Sequence, residues 1–347
     1  MATVACRRPV FDAALHTAVA AQPRVTHRAT EVIGLRLRPR GHAAHVVGVE
    51  LATGESMTAD LVVNADYSRH YRFRDGEPMP PYSSLLGGPR GDLGYLAFAT
   101  FLGDNRTFCV HIMVPPWDRA FLELRNAAAF QRIAVRLPAL ASWLEPSDPV
   151  RGVLPMGQLR NQLLNVVDDN GPLLTGLIPI ADARCHTNPT FAFGASLSLW
   201  HAVRLADLAD LADRAIDDID LVTYFESEVG ADMSARFYAV SAEDRDRARW
   251  WSGEPIDITD PAVSLPLFLR FIVYPTAARD PALLRAVARR INALDPVGRL
   301  AGHAELLDRA RALHAESAGD RPSMPPRSLI LAVLAADSAE LTTETNP

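Results

Sequence analysis

The residues best placed to do chemistry lie in one run, Gly176-Leu-Ile-Pro-Ile-Ala-Asp182-Ala-Arg-Cys185-His186-Thr-Asn188-Pro189-Thr-Phe-Ala-Phe-Gly194. The apolar stretch from Leu173 to Ile180, interrupted by Gly176 and Pro179, reads as a buried strand that delivers the Asp182 carboxylate to its C-terminal end. A loop containing Pro189 then feeds a helix from about Gly194 to Asp213, marked by Leu197, Trp200, Val203, Leu205 and Leu208. Ligands of open α/β sheets sit at such strand ends. The unpaired amides of the helix start, near Ala192 to Ala195, favour an anionic group.

Other candidate chemistry is weaker. Cys185 and His186 are adjacent, and neighbours in extended chain point apart, so a nucleophile and its base are not expected there. Gly194-Ala-Ser196-Leu-Ser198 lacks the final glycine of a nucleophile elbow. The histidines show no metal-ligand spacing. Cys6, Cys109 and Cys185 form neither a disulfide framework nor a CxxC zinc set. Trp250-Trp251 reads as core packing rather than a substrate platform. Lysine and arginine together number 35, and every one is arginine. That excludes a Schiff-base lysine, a phosphate-loop lysine and a lysine general base. No catalytic acid or base stands out.

Composition bounds what these residues can serve. The 347 residues are 48% hydrophobic with a formal charge of −6. A chain of that length implies two domains, and its acidity argues against a nucleic-acid partner. No apolar signal core is present at the N-terminus, and no apolar run approaches the ~18 residues of a membrane span, Leu329 to Ala336 being among the longest. A cytoplasmic, reduced protein with no membrane span is the expectation.

The elements that must position Asp182 follow from periodicity. Pro9 suits a helix start, with Phe11, Leu15 and Val19 at helical spacing. Arg24 to His27 reads as a strand, and Val32 to Arg38 with Val46 to Leu51 as an antiparallel pair around Gly41. Leu61 to Val63 reads as a buried strand ending in Asn64-Ala65-Asp66. From Arg72 to Arg90 the proline and glycine content predicts a loop. Tyr95 to Leu102 and Phe108 to Val114 form a hairpin through Gly103-Asp104-Asn105. Trp117 to Leu137 is helical by spacing, and Gly152 to Leu164 supplies further strands. Ile216 to Trp251 and Pro281 to Ala315 are mainly helical with solvated charged faces, and the tail from Leu341 is expected to be disordered.

The Asp182 segment resembles the FAD-binding fold of the para-hydroxybenzoate-hydroxylase type, a group that includes flavoprotein aromatic monooxygenases, flavin-dependent halogenases and geranylgeranyl-reductase-like oxidoreductases. These proteins carry a strand ending in Gly-Asp-Ala, a His/Pro-containing loop, and a glycine opening a long helix. Asp182, Pro189 and Gly194 match that pattern. Arg8-Pro-Val-Phe11-Asp12-Ala-Ala-Leu15 is similar to the family's Arg-x-x-Leu-x-x-x-Leu helix start. Asp60-Leu-Val-Val-Asn64-Ala-Asp66-Tyr-Ser-Arg69 is similar to its strand and turn near the pyrophosphate and flavin. The resemblance implies that Asp182 holds the FAD ribitol, that the helix start at Gly194 and Ala195 faces the flavin, and that Arg8, Asp66 and Pro189 lie at the cofactor. NAD(P)H is the implied electron donor.

The departures are equally specific. No GxGxxG turn is present; Gly87-Gly88 and Gly91 have the wrong spacing. Ala181 replaces the first glycine of the Gly-Asp pair, Asn64 an acid, and Tyr67 a turn glycine. The expectation is an α/β (α+β) chain: an incomplete glutathione-reductase-like FAD-binding domain in two segments, 1–70 and 166–213. A substrate lobe with an antiparallel sheet, 71–165, is inserted between them, and a helical region, 214–340, and a tail, 341–347, follow. Its function would be that of an N-terminally truncated FAD-dependent, monooxygenase-like oxidoreductase acting on a small apolar or aromatic substrate. The alternatives are a non-catalytic remnant that no longer binds FAD, or a chain completed by a separate polypeptide carrying the missing segment. The halogenases of this class use a lysine, which counts against halogenation.

Overall fold

Alternation decides the middle of the chain. In Thr107–Val114 the side chains of Phe108, Val110, Ile112 and Val114 are fully buried, while Cys109 and His111 between them are only half-buried. That is the two-residue period of a strand with two unlike faces. The computed structural model describes residues 13–14, 17–18, 20–23, 32–40, 43–51, 65–80, 87–156, 161–175, 177–188, 194–212, 218–317, 319 and 323–343. Leu61 to Val63, Arg24 to His27 and the last four residues lie outside them.

Strands β1 (Val32–Arg40) and β2 (Ala43–Leu51) pair antiparallel, as their composition predicts. A larger sheet is built from β3 (Ala65–Phe73), β4 (Gly87–Asp92), β5 (Ala97–Leu102) and β6 (Thr107–Val114). Two short strands complete it, β7 (Ser147–Pro149) and β8 (Leu154–Met156), both antiparallel to β3. The order is β4-β5-β6-β3-β7, with β8 also on β3. The expected hairpin is β5–β6, and Asn105 and Arg106 in its turn take φ of 55° and 58°.

Two sequence expectations are corrected here. Ala65 and Asp66 do not lie in a turn, because Ala65 to Arg72 pair continuously with β6 and make β3 an interior strand. Nor is Arg72 to Arg90 all loop. Its glycines mark close packing: a Cβ on Gly88 would lie 2.5 Å from Thr100 Cβ, and one on Gly91 2.5 Å from Phe98 Cε1. Glycine there lets β4 lie against β5 rather than leave the sheet.

One face of this sheet carries the main core. Tyr71, Phe73, Phe98, Phe108, Val110 and Ile112 pack on Phe130, Ile133 and Trp143 from α1 (Ala127–Ala134) and α2 (Pro138–Leu144). Phe108 lies 5.5 Å from Trp143, edge-on at 84°, and 4.8 Å from Phe73. The helix expected from Trp117 to Leu137 is broken. A 3-10 turn over Arg119–Arg125 stops at Asn126, whose side chain caps α1 by accepting from the amides of Ala128 and Ala129.

Beyond the lobe lie the short strands β9 (Gln162–Leu163), β10 (Val167–Asp168), β11 (Gly171–Pro172), β12 (Leu174–Thr175) and β13 (Cys185–His186). Among the described residues of the expected Leu173 to Ile180 strand, only Leu174 and Thr175 are paired in a sheet, parallel to β2. Pro179 has no amide to donate, and Ile178 and Ile180 pack instead on a cluster of helix residues including Leu208 and Phe225. Then come α3 (Gly194–Ala212) and the 34-residue α4 (Asp218–Trp251).

The helices α5 (Pro261–Phe268), α6 (Pro281–Ile291) and α7 (Ala304–Glu316) pack around Phe268, Ile272, Val273, Leu283 and Leu313. The run Pro261–Arg279 is long and apolar enough to cross a membrane by length and composition, with 44% of its 18-residue window buried. Ser264 and Arg270 interrupt it, so no unbroken apolar run there approaches the ~18 residues of a membrane span. Ser264 is non-helical (φ −151°, ψ 96°) and a π turn spans Leu269–Val273. The last helix, α8 (Arg327–Thr343), returns to the sheet core through Ile330, Val333 and Leu334 and extends past Leu341, where disorder was expected.

Candidate functional site at the Asp182 corner

The sequence places Asp182 after a strand; the chain places it in a tight 3-10 turn, Ala181–Ala183. Arg184 closes that turn by donating its amide to the Ala181 carbonyl at 3.0 Å. Ala181 has φ 55°, the left-handed region that favours glycine. This is the position where the resemblance calls for glycine.

What holds Ala181 there is His201 on α3. Its Nδ1 accepts the Ala181 N–H at 2.8 Å, so the proton of the neutral ring sits on Nε2, which has no partner among the described residues. His201 is fully buried, and burial with the Arg184 charge nearby lowers its pKa to about 4. It therefore stays a neutral acceptor near neutral pH. Sequence reading passed over His201, although it follows Leu197 by four residues and precedes Leu208 by seven, a core position on a helix.

Arg184 is buried and forms an ion pair through Nη2 with Glu226 of α4, while its Nε and Nη1 have no partner among the described residues. Burying a cation without a full set of acceptors is costly, so this pair makes the corner rigid at an energetic penalty. Cys185 is buried, which pushes its thiol pKa up and makes it a poor nucleophile.

The Asp182 carboxylate is exposed. A Cβ placed on Gly194 would meet Asp182 Oδ1 at 3.5 Å, so the carboxylate lies beside the first residue of α3. Of the sequence candidates, Asp182, Gly194 and Ala195 are thus brought to one corner, Ala195 as the second residue of α3. Asp66 lies within β3, its backbone paired with Met113 and Met156. Arg8 and Pro189 lie outside the described residues.

A polar chain joins this corner to the large sheet. Asn188 donates its amide to Asn161 Oδ1 at 2.7 Å, and both side chains donate to Asp244 of α4, at 3.1 and 2.9 Å. Arg247 donates to Asp244 at 2.8 Å and its guanidinium lies 5.2 Å from the Trp251 ring centre. Trp251 Nε1 donates to Asp92 of β4 at 2.7 Å. Trp250 packs edge-on against Phe271 at 5.0 Å, so the tryptophan pair does serve packing. No cluster of metal-ligand side chains occurs among the described residues.

No protein-family model matches this chain. No curated protein matches it in sequence. Solved structures do match. The flavin-dependent brominase Bmp2 aligns with a TM-score of 0.56 at 13% identity, over 91% of this chain and 76% of that one. A flavoprotein/dehydrogenase from Cytophaga hutchinsonii gives 0.55 at 11%, over 89% and 75%. The myxobacterial chondrochloren halogenase CndH, an FAD-dependent halogenase, gives 0.52 at 16%, over 89% and 73%. At these identities the likeness is one of fold: a mixed α/β chain with an antiparallel sheet and many helices, shared with flavin-dependent halogenases.

Proposed function

We propose that this chain is an FAD-dependent, monooxygenase-like oxidoreductase acting on a small apolar or aromatic substrate. The observation that carries the reading is the exposed Asp182 carboxylate set beside Gly194 at the start of a 19-residue helix. A carboxylate there can accept hydrogen bonds from the ribitol hydroxyls of FAD. The first-turn amides at Gly194 and Ala195, which have no partner within the helix, supply the positive end of a helix dipole to a flavin ring that becomes negative on reduction. These groups fit the ribitol and ring half of the cofactor. Arg8, Asp66 and Pro189 are proposed to lie at the cofactor by resemblance, with NAD(P)H as electron donor.

When bound, FAD would supply the redox chemistry. The protein's own part is placement: His201 holds the Ala181 amide and so the Asp182 turn, and the Asn188–Asp244–Arg247–Trp251 chain fixes that turn relative to the sheet. We favour oxidation or hydroxylation over halogenation because the chain contains no lysine.

Titration of the purified chain with FAD, followed by quenching of flavin fluorescence, tests this. Saturable quenching is expected, weakened on the order of tenfold or more in Asp182→Ala, with unchanged thermal stability because Asp182 is exposed. A folded chain that leaves flavin fluorescence unchanged would overturn the reading in favour of a fold retained without its cofactor.

A further inference from the structure

The C-terminal helices hold a cavity of about 150 Å³ between α6 and the turn that follows it. Leu283 and Val287 point into the helical core, so Arg285, Arg289 and Arg290, at four- and five-residue spacing, are left to line the cavity wall. Small Ala282 and Ala286 between them leave the space. The facing wall presents Asp295, Arg299 and His303.

Two of these arginines are accounted for by the fold. Arg290 donates to the Tyr274 hydroxyl at 3.0 Å and to the Val297 carbonyl, while buried Arg236 of α4 donates to the Asp295 carbonyl at 3.0 Å, and together they hold the turn in place. Arg289 donates to both carboxylate oxygens of Asp295, at 2.7 and 2.9 Å. Arg289 and Arg290 also stand in the last turn of α6, where the helix dipole favours a cation. Neither reason covers Arg285 or Arg299. The Arg285 guanidinium makes no hydrogen bond or ion pair among the described residues, and it stands four residues before Arg289, a like-charge spacing that disfavours the helix. Arg299 lies 4.0 Å from Asp295, beyond hydrogen-bond reach. Four guanidiniums therefore face one carboxylate. That carboxylate is held below its ordinary pKa by the Arg289 hydrogen bond and by the charges of Arg289, Arg299 and His303. In a chain of formal charge −6, this is a local concentration of positive charge that attracts anions.

We propose that this cavity binds the phosphoryl group of a small soluble phosphate or diphosphate, with Arg285 and Arg299 as its recognition residues. A carboxylate offers two acceptor oxygens and a single charge. A phosphoryl group offers three oxygens and about two charges, the better match to guanidiniums that converge from two walls. The space is about that of a benzene ring, so it seats the phosphoryl end of a ligand rather than a whole nucleotide. The cavity shares no residue with the Asp182 corner, so its ligand is independent of the flavin reading.

The test is calorimetric titration of the full chain with pyrophosphate, inorganic phosphate and acetate at constant ionic strength. Pyrophosphate is expected to bind at a single site, and acetate about 10-fold more weakly or not at all. Arg285→Gln combined with Arg299→Gln should weaken pyrophosphate about 10- to 100-fold. Arg119→Gln combined with Arg125→Gln removes the same charge from the exposed 3-10 turn of the sheet lobe and should leave affinity unchanged. All four side chains are exposed, so both double variants should melt as the wild type does. Absence of pyrophosphate binding, equal binding of acetate, or an equal loss in the two double variants overturns the proposal. So does binding confined to phosphatidic-acid vesicles, which would make the cavity a membrane contact. Because FAD itself carries a diphosphate, flavin titration of the Arg285→Gln and Arg299→Gln double variant is run in parallel. Unchanged quenching is expected, and its loss would make the cavity part of the flavin site and overturn a separate ligand. Pyrophosphate binding without FAD binding removes the flavin reading alone, and the reverse removes the phosphoryl site alone.

Discussion

The packed face of the six-stranded sheet and the corner at Asp182 are built on opposite terms. The first has four strands of six to nine residues and side chains such as Phe73, Phe108 and Phe130 at 0 to 1% exposure, packed ring against ring. The second has paired strands of two residues, a non-glycine residue in left-handed backbone, an exposed carboxylate, and buried Arg184 and His201 nitrogens without partners among the described residues. The sheet has unmet polar atoms too, Thr100 Oγ1 among them, so the contrast lies in what does the holding: buried rings on the packed face, buried polar contacts around an exposed carboxylate at the corner.

The sharpest way to break the contrast is on the packed face. Phe108→Ala removes a ring that touches Tyr71, Phe73 and Trp143, and should cost about 3–5 kcal/mol of unfolding free energy in a denaturant titration. A loss below about 1 kcal/mol would mean that the face is loosely packed and the comparison is wrong.

The corner should respond to pH instead. His201 has a folded pKa near 4, below its ordinary value of 6.5, so the unfolded chain takes up the proton first. Above pH 6.5 both states are neutral and nothing changes. Between 6.5 and about 4 the folded state is progressively disfavoured, by no more than about 3 kcal/mol, and below that the loss levels off. Asn at 201 can accept the Ala181 amide without titrating. Subtracting the pH–stability curve of His201→Asn from that of wild type should therefore leave this one transition, and coincident curves would remove His201 from the account.

Legibility in the sequence divides along the same line. The β1–β2 pair, the β5–β6 hairpin and α3 could all be read, because alternation and helical spacing reflect burial of one face. The β4 strand could not, because its glycines answer to Thr100 and Phe98 across the sheet, contacts that local composition does not encode. At the corner, Gly194 was legible as a helix start, whereas Asp182, expected at a strand end, sits in a 3-10 turn. His201 was not legible, since a histidine at a core position looks the same whether it merely fills space or holds a backbone amide. The strand expected from Leu173 to Ile180 failed because apolar residues bury equally well against helices, and Ile178 and Ile180 do so.

The smallest effect compares two left-handed residues, one in each region. Arg106, at φ 58° in the β5–β6 turn, is held by donating to the carbonyls of Arg74 and Glu77 at 3.0 and 2.6 Å. Ala181, at φ 55°, has no side-chain bond to offset its strain and relies on His201 accepting its amide. Glycine relieves a left-handed cost of roughly 1–2 kcal/mol, against roughly 0.5–1 kcal/mol of extra unfolded-chain entropy. Ala181→Gly should therefore raise stability by about 0.5–1 kcal/mol, because it gives up only a half-buried methyl and keeps the amide that His201 needs. Arg106→Gly gains the same relief but loses two hydrogen bonds, and should come out neutral or destabilised. Equilibrium unfolding of the two variants side by side decides it. A gain at Arg106 with a loss at Ala181 would show that the strain sits in the hairpin, and that the corner is at rest without a ligand.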